Sequence, residues 1–105
     1  MSYFAKMTQK VLTVNTSEVA LPPPALGDEV QNPEAIFIQA DDENTSPVVL
    51  GKAGVLANKT TGGFKFSPGD NGILPFTREE TLKAISLQAG QVIYVTYLAE
   101  ANPRH

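Results

Sequence analysis

The chain contains no cysteine, which removes a disulfide framework and any thiolate metal site at once. Its single histidine is His105, on a polar tail where nothing holds an imidazole within hydrogen-bond reach of a proton. No Ser-His or Cys-His arrangement can be assembled. Lys and Arg number 8 against 11 Asp and Glu, for a net charge of -3. They form no cluster, so the electrostatic footprint of a nucleic-acid binder is missing. Nowhere do about 20 apolar residues run together, and no membrane span is expected. No GxGxxG or Walker loop occurs; Gly62-Gly63 lacks both the following helix and the lysine. The start, Met-Ser-Tyr-Phe-Ala-Lys-Met-Thr, lacks the charged segment and apolar block of a signal peptide. Acyl transfer, phosphoryl transfer and dinucleotide chemistry all lack parts, so no enzyme and no cofactor is expected. The expectation is a protein made in the cytosol that stays there or leaves within an assembly.

What is present is a β pattern. The 105 residues suit one domain, which buries about two thirds of its unfolded surface. The hydrophobic fraction, 42%, is that of an ordinary globular protein. Residues 34–51 organise the rest: a strand, a polar turn and a second strand, read as a hairpin. Ile36, Ile38 and Ala40 fall on one side of the pleat, Phe37 and Gln39 on the other. Val48 to Leu50 is short, apolar and partly β-branched.

Residues 1–9 show no clear period and read as a terminal arm, with Tyr3, Phe4 and Met7 as apolar points. Residues 10–15 alternate as a strand. Residues 21–33 hold three consecutive prolines, which lack N–H donors and cannot pair in mid-sheet. They read as a surface loop, either connecting across one end of a sandwich or making contacts. Gly54, Gly62 and Gly63 break any helix. Phe64 and Phe66 share one side of a short strand. Ser67-Pro-Gly-Asp fits a type II turn with Gly69 at positive φ, and Asn71-Gly72 is a further turn signal. Pro75 marks the following strand as an edge or a bulge. Residues 77–83 carry the one helix signal, with Thr77 and Glu80 as a capping box. Residues 84–87 resume as a strand, and Gln91 to Leu98 is the strongest strand of the chain. Residues 99–105 are a polar tail. The fold class is therefore all-β: a small antiparallel β-sandwich or barrel over residues 10–98, with short strands and one helical turn. An N-terminal arm (1–9), a Pro-rich loop and a C-terminal tail complete it.

Two carboxylate groupings invite a closer look. Asp41, Asp42, Glu43 and Asn44 crowd one turn, and Asp70-Asn71 another. Hard oxygen ligands suit Ca²⁺, but the spacing is not that of an EF-hand, and acids in turns ordinarily serve the turn itself. No metal site is expected. Glu79, Glu80 and Asp42 are not placed across a cleft as a glycosidase pair must be. Tyr94 and Tyr97 are candidates for a sugar-binding face, although aromatics on strands more often fill cores.

The order of motifs carries a resemblance. Val11-Leu-Thr-Val-Asn-Thr is followed by Asn32-Pro-Glu-Ala-Ile-Phe-Ile-Gln-Ala and Val48-Val-Leu-Gly. Phe66-Ser-Pro-Gly-Asp, Leu82-Lys-Ala-Ile-Ser and Val92-Ile-Tyr-Val-Thr-Tyr come next. Over residues 11–98 this resembles the small β-sandwich virion proteins encoded among the structural genes of tailed bacteriophages. The resemblance implies a capsid decoration (cement) protein that sits on the outside of a head and bridges capsomers. The implied partner is the major capsid protein or another virion protein, with a trimer or dimer on the particle and no catalytic residues. A tail, neck or baseplate component is the alternative, and a small carbohydrate-binding module is a third reading.

The candidate contact residues are Tyr3 and Phe4 of the arm, Pro22, Pro23 and Pro24 of the loop, and Phe37 and Tyr97 on two-faced strands. In the last strand Ile93, Val95 and Tyr97 share one side, and Val92, Tyr94 and Leu98 the other. A strand apolar on both faces needs cover on both.

Overall fold

Side-chain alternation produces strands wherever it persists. The computed structural model describes residues 4–57, 62–75 and 82–100. It contains β1 (Phe4–Val14), β2 (Val19–Ala20), β3 (Ala35–Ala40), β4 (Val48–Gly51), β5 (Phe64–Phe66), β6 (Asn71–Pro75), β7 (Lys83–Ser86) and β8 (Gln91–Glu100). These form two antiparallel sheets of four strands, in the orders β1-β8-β3-β6 and β2-β7-β4-β5. They pack as a small sandwich around one main core, to which both sheets contribute. No helix occurs among the described residues; of the expected helical turn, residues 77–81 lie outside them, and Lys83 belongs to β7.

Three readings are corrected and a fourth is refined. First, residues 34–51 are not a hairpin, because β3 and β4 lie in different sheets. The reason is a pair of side-chain amides that replace strand pairing at the end of β3. Asn44 donates from Nδ2 to the Val92 carbonyl (2.9 Å) and accepts the Val92 N–H on Oδ1 (2.8 Å). It thereby ends the β3–β8 ladder as a backbone residue would. Gln91, buried at the start of β8, accepts the N–H groups of Thr45 (2.8 Å) and Ser46 (3.0 Å) on Oε1. Chain leaving β3 is thus steered across to the opposite sheet. Second, residues 4–9 are no arm but the first half of β1, paired with β8. Ala99 and Glu100 likewise extend β8 instead of opening a tail. Third, Asn71-Gly72 lies within β6, where Gly72 sits beside the Phe66 ring at a distance that a Cβ would meet as an ordinary contact, 3.5 Å from Phe66 Cε2. Fourth, the Pro-rich loop is a surface loop, with Pro23, Leu26 and Asn32 exposed, but not a loose one: Leu21, Val30 and Pro33 are buried and anchor it.

That packing follows from unequal sheets. β1 and β8 run 11 and 10 residues, whereas no strand of the second sheet exceeds 4. Residues 21–33 cover what the short sheet leaves open. Thr8 Oγ1 accepts the Val30 N–H (3.0 Å), and Lys10 pairs with Asp28 (2.9 Å). The Tyr97 hydroxyl donates to the Pro22 carbonyl. Tyr97, at 1% exposure, is therefore a core residue and not a surface contact. The Ser67–Asp70 turn is as expected, with Asp70 N–H donating to the Ser67 carbonyl (2.8 Å) and Gly69 at φ 87°.

The division of faces in β3 and β8 follows the alternation. Ile36, Ile38 and Ala40 meet Ile93, Val95 and Tyr97 in the core, with Val48, Leu50 and Ala84 opposite. Replacing Ile38, which is fully buried, by Ser removes a core side chain and buries a hydroxyl. Chemical denaturation of Ile38→Ser is expected to read a loss of about 3–5 kcal/mol.

Burial pushes the Tyr97 hydroxyl up to about 12 from an ordinary 10.0. A raised folded-state value leaves stability intact below pH 10 and costs stability as the pH climbs from there towards 12, since only the unfolded chain ionises readily in that window. Tyr97→Phe is expected to flatten that part of the alkaline limb in melts taken across the window, while losing the bond to Pro22 at every pH.

Candidate functional site

The site is built from residues that the sandwich leaves outside. Residues directly opposite each other on neighbouring strands share a face. On the outward face of the longer sheet, the register aligns Met7 with Leu98, Val11 with Tyr94, and Phe37 with both Thr96 and Ile73. Gln9, Thr13, Gln39, Asn71 and Thr96 are the polar members. Val11 is 66%, Ile73 60%, Met7 49% and Tyr94 39% exposed, and Phe37 and Leu98 are half-buried. Phe37 stands diagonally across β8 from Tyr94 and Leu98, within the reach of aromatic side chains. The result is an apolar band running from Ile73 across Phe37 and β8 to Met7 and Val11. Scattered apolar residues need no explanation, whereas a contiguous apolar band on one sheet face is a feature that interaction surfaces share.

Of the sequence candidates, Phe37 lies in this band. Phe4 opens β1 opposite Glu100. Pro22 is tied to Tyr97 on the other side of the sheet, Pro23 is exposed and Pro24 half-buried. The structure does not bring these prolines and Phe37 together: the loop lies on the inward face and Phe37 on the outward one. Tyr3 and His105 lie outside the described residues. Met7, Val11 and Ile73 are the members the sequence reading missed. Residues 1–9 read as an arm because Met7, Gln9, Val11 and Thr13, all on one face, mix apolar and polar types and show no apolar period.

The acidic turns are occupied with their own backbone. Asp41 accepts the Glu43 N–H on Oδ1 (3.1 Å) and the Tyr94 hydroxyl on Oδ2 (3.0 Å). These donors, the Glu43 N–H first, hold the Asp41 carboxyl below its usual value, and Asp41 in turn raises the Tyr94 hydroxyl. Asp70 accepts the Ser67 N–H (2.9 Å). Among the described residues, no three His, Cys, Asp or Glu side chains gather to hold a metal ion. A shallow hollow of about 380 Å³ beside the end of β4 is lined by residues that include Gly51, Lys52, Gly54, Val55, Gly63 and Phe64.

Comparison with protein-family models, with curated proteins and with solved structures returns no match.

Because Phe37 is only partly covered, Phe37→Ser is expected to shift the unfolding free energy by about 1 kcal/mol or less, the usual scale for a surface strand position. Its neighbour Ile38 provides the contrast, and parallel thermal melts of the two variants check it.

Proposed function

We propose that this chain is a non-enzymatic structural protein of a virion, a capsid decoration (cement) protein that seats on the outside of a phage head and bridges capsomers. The observation that carries the reading is the apolar band on the outward sheet face, exposed in the single chain. Polar side chains that would make a reactive site are engaged elsewhere: Asn44, Gln91, Asp41 and Asp70 bind backbone N–H groups of their own turns and ladder ends. The order of motifs over residues 11–98, similar to that of phage β-sandwich virion proteins, adds the particle. The partner is then the major capsid protein, or another virion protein if the site is the tail, neck or baseplate.

A second reading rests on Tyr94. Its ring is partly exposed, its hydroxyl is fixed by Asp41, and Gln39 lies beside it on the same face. An aromatic platform with a neighbouring amide also suits a carbohydrate.

One experiment separates the readings. Heads assembled without the protein are mixed with wild type and with a Phe37→Ser, Ile73→Ser double variant, and co-sedimentation is followed. Wild type is expected to saturate the heads, and the variant to bind at least roughly tenfold more weakly, as removal of central apolar anchors does. Equal binding by both would place the contact off this face. Binding to a glycan panel that is abolished by Tyr94→Ser, without binding to heads, would favour the carbohydrate module.

A further inference from the structure

A sandwich has four open edges, and three of these are blunted. β2 has 2 residues and β5 has 3, too short to template another strand. β6 ends in Pro75, which has no N–H to offer. β1 is different: it has 11 residues, contains no proline and pairs on one side only, with β8.

Ladder alternation says which backbone groups of β1 face outward. Asp41 N–H donates to the Val92 carbonyl (3.1 Å), so even-numbered residues of β8 bond towards β3 and odd-numbered ones towards β1. The β1 partners of Gln91, Ile93, Val95 and Tyr97 are Val14, Leu12, Lys10 and Thr8. The N–H and C=O groups of Met7, Gln9, Val11 and Thr13 therefore point away from β8, to the open edge. Among the described residues, no turn or loop backbone bond reaches them.

We infer that this edge is a self-pairing surface, on which β1 of a second copy adds antiparallel across a two-fold axis to make one continuous sheet. The register is set by side chains. With Gln9 on the axis, Val11 stands opposite Met7 of the second copy. The apolar row Tyr94–Val11 then continues into the Met7–Leu98 row of that copy, and the Gln9–Thr96 row meets its own equivalent. Apolar meets apolar and polar meets polar, as cross-strand pairing favours. An axis at Lys10 would set two lysines face to face and Gln9 against Val11, which that rule disfavours. The lysine that ordinarily discourages edge pairing is also engaged within its own chain, since Lys10 is held by Asp28 at 2.9 Å. The irregularity between Phe4 and Lys6 limits the pairing segment to residues beyond it. The pairing is isologous and closes at two copies. It does not depend on the virion reading, because it rests on backbone groups that face no backbone partner among the described residues.

The test is sedimentation equilibrium of the full chain from micromolar to millimolar concentration, combined with amide exchange. Wild type is expected to approach twice the chain mass, and the Met7, Gln9 and Val11 amides to gain protection, at least tenfold, as concentration rises. Val11→Pro deletes an outward donor while sparing the β8 ladder. It is expected to remain monomeric with an unchanged β circular-dichroism spectrum. Val11→Lys, which sets a charge against Met7 of the second copy, is expected to do the same and serves if the proline variant does not fold. A wild type that stays monomeric throughout overturns the inference. So does a dimer in which these three amides exchange at the same rate at every concentration, or one that survives both substitutions.

Discussion

The fold depends on two amide side chains that take the place of backbone. Where β3 runs out, Asn44 binds both the N–H and the C=O of Val92, and Gln91 gathers the N–H groups of Thr45 and Ser46. A buried ladder end without such partners would leave unpaired polar groups, each costing about 1–3 kcal/mol. Satisfying them with side chains instead of a paired strand frees the chain to cross to the other sheet. Consecutive strands then alternate between sheets, with β4 and β5 the one neighbouring pair that stays in the same sheet. That crossing pattern places the first and last strands side by side and leaves β1 at an edge.

From this arrangement the division between core and surface follows. β3 and β8 sit in the middle of the longer sheet and are apolar on both faces. One face is sealed by the short sheet and by the loop at residues 21–33; the other is open to solvent. The loop is a structural cover, with Asp28 and Val30 gripping β1 and the Pro22 carbonyl taking the Tyr97 hydroxyl. Apolar surplus and unpaired backbone thus converge on the same side of the molecule, along β1 and β8. The polar turns, rich in acids, hold themselves together.

Much of this was legible in the residues. Period-two alternation placed Ile36, Ile38 and Ala40 inward and Phe37 outward, and grouped Tyr97 with Ile93 and Val95; assigning Tyr97 to a contact role ran against its own alternation. Pro75 marked an edge and Gly69 a turn, each through a single backbone property. What stayed hidden was long-range. The bonds from Asn44 to Val92 and from Gln91 to Thr45 span 48 and 46 residues, and amides in a turn look alike whether they cap their own loop or a distant strand. The first half of β1 was hidden for another reason. Its inward positions are Lys6, Thr8 and Lys10, polar because Thr8 and Lys10 face a polar loop instead of the opposite sheet. No apolar period announces such a strand, and Met7 and Val11 on its outward side went unseen with it.

The central claim is that the outward face of the longer sheet, not the exposed turns, meets other molecules. Hydroxyl-radical footprinting of dilute free protein against its assembled form tests it most directly. Met7, Ile73 and Tyr94 should label readily in the free chain and be shielded after assembly, while Leu26 and Leu87, exposed on turns, label equally in both. Shielding of Leu26 and Leu87 with undiminished labelling of Met7, Ile73 and Tyr94 would contradict the account.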